Sequence, residues 1–195
     1  MHKNRLEAFS DGVMAIILTI MVLEMKVPHG DASLAALRPI LPVFLSYVLS
    51  FVYLGIYWNN HHHLLQAAHR VKGKILWANL HLLFWLSLLP FVTGWMGENG
   101  FAARPVLLYN LVLLLAAIAY FILSRTLVRH HGEDSALAQA VGRDRKGLVS
   151  LGAYVSAVVL SFISPWAAIA LSVAVALMWI IPDRRIETRL GSGSA

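Results

Sequence analysis

The chain has 195 residues and a formal net charge of +6, and it is 58% hydrophobic but only 13% charged. A soluble domain carries about a quarter charged residues and needs no long apolar runs, so that class is excluded. With no cysteine in the sequence, disulfide scaffolds and thiolate metal sites are excluded as well.

Apolar runs of the ~17–25 residues that a helix needs to cross a hydrocarbon core recur along the chain. They predict an all-α, polytopic membrane protein with six transmembrane helices, over 4–27, 40–68, 74–96, 104–128, 147–163 and 166–182. The first five are punctuated by VPHGDAS, HRVKGK, GENGFAARP, HHGEDS and Ser164-Pro165. Ser164-Pro165 is a very tight turn, and one long kinked helix is the alternative for the last two runs. Segment 129–146 is too short and charged for a second domain and reads as a cytoplasmic loop, partly helical. Residues 1–190 are expected to form one transmembrane subunit, and GSGSA at 191–195 reads as an appended linker. The N-terminal run is too long, and lacks the small-residue cleavage site, for a removable signal.

Placing both termini inside puts thirteen Lys and Arg residues on inner segments and only Lys26, Arg38 and Arg104 outside. That is a decisive positive-inside bias. The basicity therefore reflects membrane topology and anionic lipid, with no nucleic-acid partner. The expected location is the cell membrane, multi-pass, with cytoplasmic N- and C-termini.

The first run opens with Arg5, Glu7, Ser10 and Asp11, groups that are expensive near lipid unless partnered or hydrated. Asp11 lies about 10 Å above the inner end of its helix. The second run carries YWNNHHH at 57–63 and the third WANLH at 77–81, both at a similar height. The expectation is that Ser10 and Asp11 are satisfied by His and Asn side chains of neighbouring second and third helices, Asn79 and His81 among them. At about 100° per residue, Gly12, Ile16, Thr19 and Leu23 form a stripe ~60° wide, and Asp11 points ~100° or more away from it. Arg5 falls on the stripe side, low enough to snorkel to the interface. Lipid or another helix is the plainer occupant of such a stripe, and a threonine there can bond its own backbone. The pattern alone does not demand a pore.

Arg5-x-x-x-Phe9-Ser10-Asp11-Gly12, with Ala15 and Thr19 in the same helix, resembles the opening signature of the transmembrane protein 175 family of potassium channels. Trp58 and His61–His63 match a Trp/His-rich segment, and Asn79 and LLPF at 88–91 are also similar. The resemblance is strong over the first three helices and rests on helix count thereafter. It implies a pore lined by helix 1, with Ile16, Thr19 and Leu23 as pore positions. It also implies a structural polar network of Arg5, Ser10, Asp11, Trp58, Asn79, His81 and one or more of His61, His62 and His63. Single-repeat members of the family are tetramers, so the absence of a second FSD motif implies a homotetramer.

Three rival readings compete with this one. VTGWMG at 92–97 superficially resembles a TVGYG filter, but it ends a full-length span with no preceding pore helix. Gly94 and Gly97 therefore read as helix-end residues and Trp95 as an interfacial anchor. Consecutive His61, His62 and His63 point in three directions on a helix and cannot share one metal; no HExxH occurs. No metal site and no catalytic residue are expected. A secondary transporter, or a proton or cation leak pathway, is the stronger alternative, although broken helices and inverted repeats are not evident in the first three spans. The reading is a moderately selective potassium channel that is not an enzyme. Its partners are potassium ions, the bilayer and its own copies, and it needs no cofactor beyond the permeating ion.

Overall fold

The computed structural model describes residues 3–30, 32–66, 68, 71–132, 138 and 145–180. The described residues form helices joined by short turns: α1 (Lys3–Leu23), a 3₁₀ helix (Leu34–Ile40) running into α2 (Leu41–Gln66), α3 (Gly73–Ser87), α4 (Leu89–Glu98), α5 (Ala103–His131), α6 (Arg145–Leu160) and α7 (Pro165–Ile180). The linker assignment at 191–195 lies outside the described residues.

The third predicted span is not one straight helix. Proline has no N–H, and its ring collides with the carbonyl four residues back. Pro90 accordingly interrupts the helix at Leu88, whose N–H turns to Trp85 O at 3.2 Å. Ser164-Pro165 ends α6 rather than bending it: residues 161–163 form a turn and Pro165 opens α7, the first-turn position that proline favours. The two-helix reading of that region is the observed one.

Stretches 3–23, 34–66, 73–98 and 103–131 are long and apolar enough to cross a membrane. The described parts of α6 and α7 are shorter, with 16 residues each. At ~1.5 Å per residue such a helix reaches about 24 Å, less than the ~30 Å of a hydrocarbon core.

α5 is the central post. Val106, Tyr109, Leu113, Ala116, Ala119, Leu123 and Leu127 are wholly buried along it, and α3, α4, α6 and α7 pack around it. α1 lies on the rim against α2, α3 and α4. α2 packs its backbone on α1 and α4, whereas α3 packs on α1 and α5. The second and third predicted spans are thus neighbours, as expected, but pair through α4, the outer part of the third, while α3 reaches α2 through side chains such as Asn79 and His61.

Candidate functional site

α1 has two opposed faces. Leu6, Ser10, Met14, Ile17 and Met21 are buried, and at about 100° per residue they make a stripe roughly 80° wide. The far face carries Gly12, Ile16, Thr19 and Leu23, all exposed, with Ile16 at 58% and Leu23 at 79%. Leu18, off that face, is partly buried against the core. Among the described residues, nothing covers the Ile16–Thr19–Leu23 stripe. The Thr19 hydroxyl donates to Ile16 O at 2.9 Å. Its hydrogen is thus committed to the helix, and its oxygen lone pairs are left facing outward.

The buried face holds the polar network. Ser10 Oγ donates to Leu6 O at 2.8 Å and accepts from Asn79 Nδ2 at 2.9 Å. Asn79 Oδ1 meets His61 Nε2 at 2.6 Å. Ser10, Asn79 and His61 are essentially excluded from solvent, so each bond replaces water that is unavailable there. One side chain from each of α1, α2 and α3 is joined: Ser10, His61 and Asn79.

Asp11 is satisfied differently. Its Oδ1 accepts from Trp58 Nε1 at 3.0 Å on the exposed side of the α1–α2 contact, and no His or Asn among the described residues hydrogen-bonds to it. Being one residue from Ser10, it is rotated ~100° away and meets the neighbouring face of α2. Within the polar group, His62 is exposed and stacks on Trp58, with ring centres 6.0 Å apart. His63 packs edge-on to His62, and its Nδ1 is buried with no partner among the described residues. His81 does not join the network; its Nε2 accepts from Trp85 Nε1 at 2.9 Å. Arg5 is exposed and makes no hydrogen bond or ion pair among the described residues. That arrangement suits snorkelling rather than the network role.

VTGWMG lies wholly inside α4, so its carbonyls serve the helix and present no filter. Gly97 has another role, a close approach: a Cβ there would come 2.5 Å from Ser46 Oγ and 2.6 Å from Val43 Cα on α2. Sequence reasoning also passed over a second polar cluster. Ser50 bonds Thr93 at 2.6 Å and Tyr109 at 3.1 Å, while Ser172 donates to Asn110 Oδ1 at 2.6 Å and its carbonyl accepts from Tyr53 OH at 2.6 Å. A signal was available: Ser50 and Tyr53 each stand among apolar residues at helical spacing. At the far end of α1, Lys26 pairs with Glu98 of α4 at 3.2 Å, and the Glu24 side chain lies against Gly94.

The model of the family described as "Endosomal/lysosomal potassium channel TMEM175" matches residues 5–90, which contain this network and the exposed stripe. The chain is 56% identical to a potassium channel of Chryseobacterium sp. strain P1-3, over 97% of this chain and 98% of that one. Its fold superimposes with a TM-score of 0.75 on the crystal structure of a lysosomal potassium-selective channel TMEM175 homolog from Chamaesiphon minutus, at 29% identity, covering 92% of this chain and 96% of the other. A longer relative, the endosomal/lysosomal proton channel TMEM175 of Mus musculus, is 29% identical over 68% of this chain and 30% of its own length.

Proposed function

The chain belongs to the TMEM175 family of potassium channels, and from that premise we propose that it conducts potassium through a homotetramer whose axis is lined by α1 of each subunit. The observation that carries this reading is the two-faced character of α1. One face is locked into the subunit by Ser10, Met14 and Met21. The other offers Ile16, Thr19 and Leu23 with no covering element among the described residues.

Around an axis, the stripe becomes three layers spanning about 10 Å at ~1.5 Å rise per residue. Rings of Ile16 and Leu23 make apolar constrictions that dewet and close the pore. The Thr19 layer between them supplies outward lone pairs that replace part of a cation's water. Potassium sheds water more readily than sodium, so few polar ligands suffice for a modest preference. The permeating ion is the substrate, and neither a cofactor nor an enzymatic step is assigned. The Lys/Arg distribution supports a cell-membrane location with both termini cytoplasmic.

Purified protein in liposomes, assayed for potassium against sodium flux, tests the reading, together with the assembly mass in mild detergent. Four subunits and a potassium preference are expected. A conducting monomer overturns the shared axis, because one α1 cannot enclose a pore. A second reading, proton conduction, is favoured by the name of the Mus musculus relative. A proton-sensitive dye in the same liposomes separates the two: proton flux insensitive to Ile16→Asn would assign protons a route outside the axis.

A further inference from the structure

The far end of α1 breaks the electrostatic rule for a helix terminus. A helix ends in carbonyls without intrahelical partners, equivalent together to about half a negative charge, and a cation is the favourable neighbour there. α1 stops at Leu23 with no basic residue in its last turn, and Glu24 follows at once. The Glu24 side chain is exposed and lies beside α4, where a Cβ at Gly94 would stand 3.7 Å from its Oε2. Among the described residues it makes neither an ion pair nor a hydrogen bond. Carboxylate and helix end therefore repel one another, with nothing in the subunit to offset it.

The nearest cation in the chain is turned away. Lys26 gives its ammonium to Glu98 of α4 at 3.2 Å, one helical turn beyond Gly94. That pair neutralises itself and is held on the α4 side. Arg38 and Arg104 belong to the 3₁₀ helix and to α5, whereas α1 packs on α2, α3 and α4. A net negative potential is left at the end of the exposed stripe, next to Leu23, which is 79% exposed. Glu24 contributes no polar contact to the fold and opposes the helix that carries it. Local rules are broken in this way where function asks for it.

We propose that Glu24 focuses charge at the outer mouth of the ion path, and that Glu98 is a positioning residue that keeps Lys26 from cancelling it. The proposal rests on the reading in which α1 of four subunits lines the axis. Four carboxylates and four helix ends then ring the mouth, each within about one helix diameter, 10 Å, of the axis. That distance lies inside the Debye length of ~30 Å at 0.01 M salt and well outside the ~3 Å at 1 M. Focusing raises the local concentration of the entering cation, so its effect is on entry rate and fades with ionic strength.

Single-channel currents in planar bilayers, at about 0.01 M and about 1 M potassium chloride, test it. Glu24→Gln is expected to lower the current at low salt on the order of tenfold and to match wild type at high salt; Glu24→Ala serves if that variant yields no channel. Glu98→Gln frees Lys26 and should lower the current with the same salt dependence, and adding Lys26→Gln should restore it. A merely structural role would reduce yield, or change the current equally at both salts. Wild-type current in Glu24→Gln at low salt, or an equal loss at both salts, overturns the focusing role; unchanged current in Glu98→Gln overturns the positioning role. Ile16→Asn separates the two levels. If it leaves the current unchanged, the axial reading falls and this proposal with it. If it raises the current while Glu24→Gln is silent, this proposal alone falls.

Discussion

The side-chain amide of Asn79 donates to the Ser10 hydroxyl across 2.9 Å, and neither residue is accessible to solvent. The same amide holds His61 through its oxygen at 2.6 Å, so one side chain on α3 fixes both α1 and α2. Asn79→Leu strands the buried His61 nitrogen and is expected to cost about 1–3 kcal/mol. Replacing both partners, His61→Leu with Asn79→Leu, removes the orphan and should cost less than the two single changes summed. Thermal unfolding in detergent measures all three, and strict additivity would show that the bond is not coupled.

Asp11 and Trp58 form a separate pair on the exposed side, with Nε1 and Oδ1 3.0 Å apart. Asp11→Asn keeps an acceptor for the indole and should leave folding close to wild type. Asp11→Ala removes it and is expected to cost about 1–3 kcal/mol. Because the partner is Trp58, Trp58→Phe should mask most of that loss in a double-mutant cycle. Independent effects would place the carboxylate against another group, such as a neighbouring subunit.

How much of this was legible beforehand follows from two residues. The motif leaves three candidate histidines, yet the helical neighbours of His61, Tyr57, Leu64 and Leu65, are largely apolar, while His62 shares a face with Trp58 and Gln66. The helix face thus distinguishes His61, which is buried, from His62, which is exposed. Depth along the helix alone places His81 with the network. It lies two residues from Asn79, and ~200° of helical rotation sends it to Trp85 instead. Span boundaries read well because length and hydropathy set them. The break at Leu88 was foreshadowed by Pro90, but the partition of neighbours around α5 depends on packing between distant segments, which no local pattern encodes.

Two glycines separate packing from function. At Gly97 an added methyl meets the α2 backbone at Val43, so Gly97→Ala must push α2 and α4 apart, and overpacking of this kind costs about 1–3 kcal/mol. At Gly12 nothing stands within 4 Å, so Gly12→Ala should express and unfold like wild type. If α1 lines the axis, it should nevertheless alter ion flux. Expression and melting temperature measured beside liposome flux distinguish the two; matched stability losses would mean that Gly12 faces a packed surface.

The exposed stripe provides the sharpest test of the conduction path. Ile16 and Leu23 are exposed at 58% and 79%, and in an axial pore each forms an apolar ring that resists wetting. Ile16→Asn or Leu23→Asn hydrates a ring and should raise potassium flux severalfold with little effect on yield. Thr19→Val keeps the side-chain shape but deletes the oxygen that now donates to Ile16 O. It should lower the potassium-over-sodium ratio while leaving the helix intact, since that intrahelical bond contributes little to stability. Leu18, partly buried against the core, is the control, and Leu18→Asn should reduce yield without raising flux. Flux and expression are read together for the four variants. Equal behaviour of Leu18 and Leu23, or unchanged selectivity in Thr19→Val, would show that this face meets lipid or protein and that ions pass elsewhere.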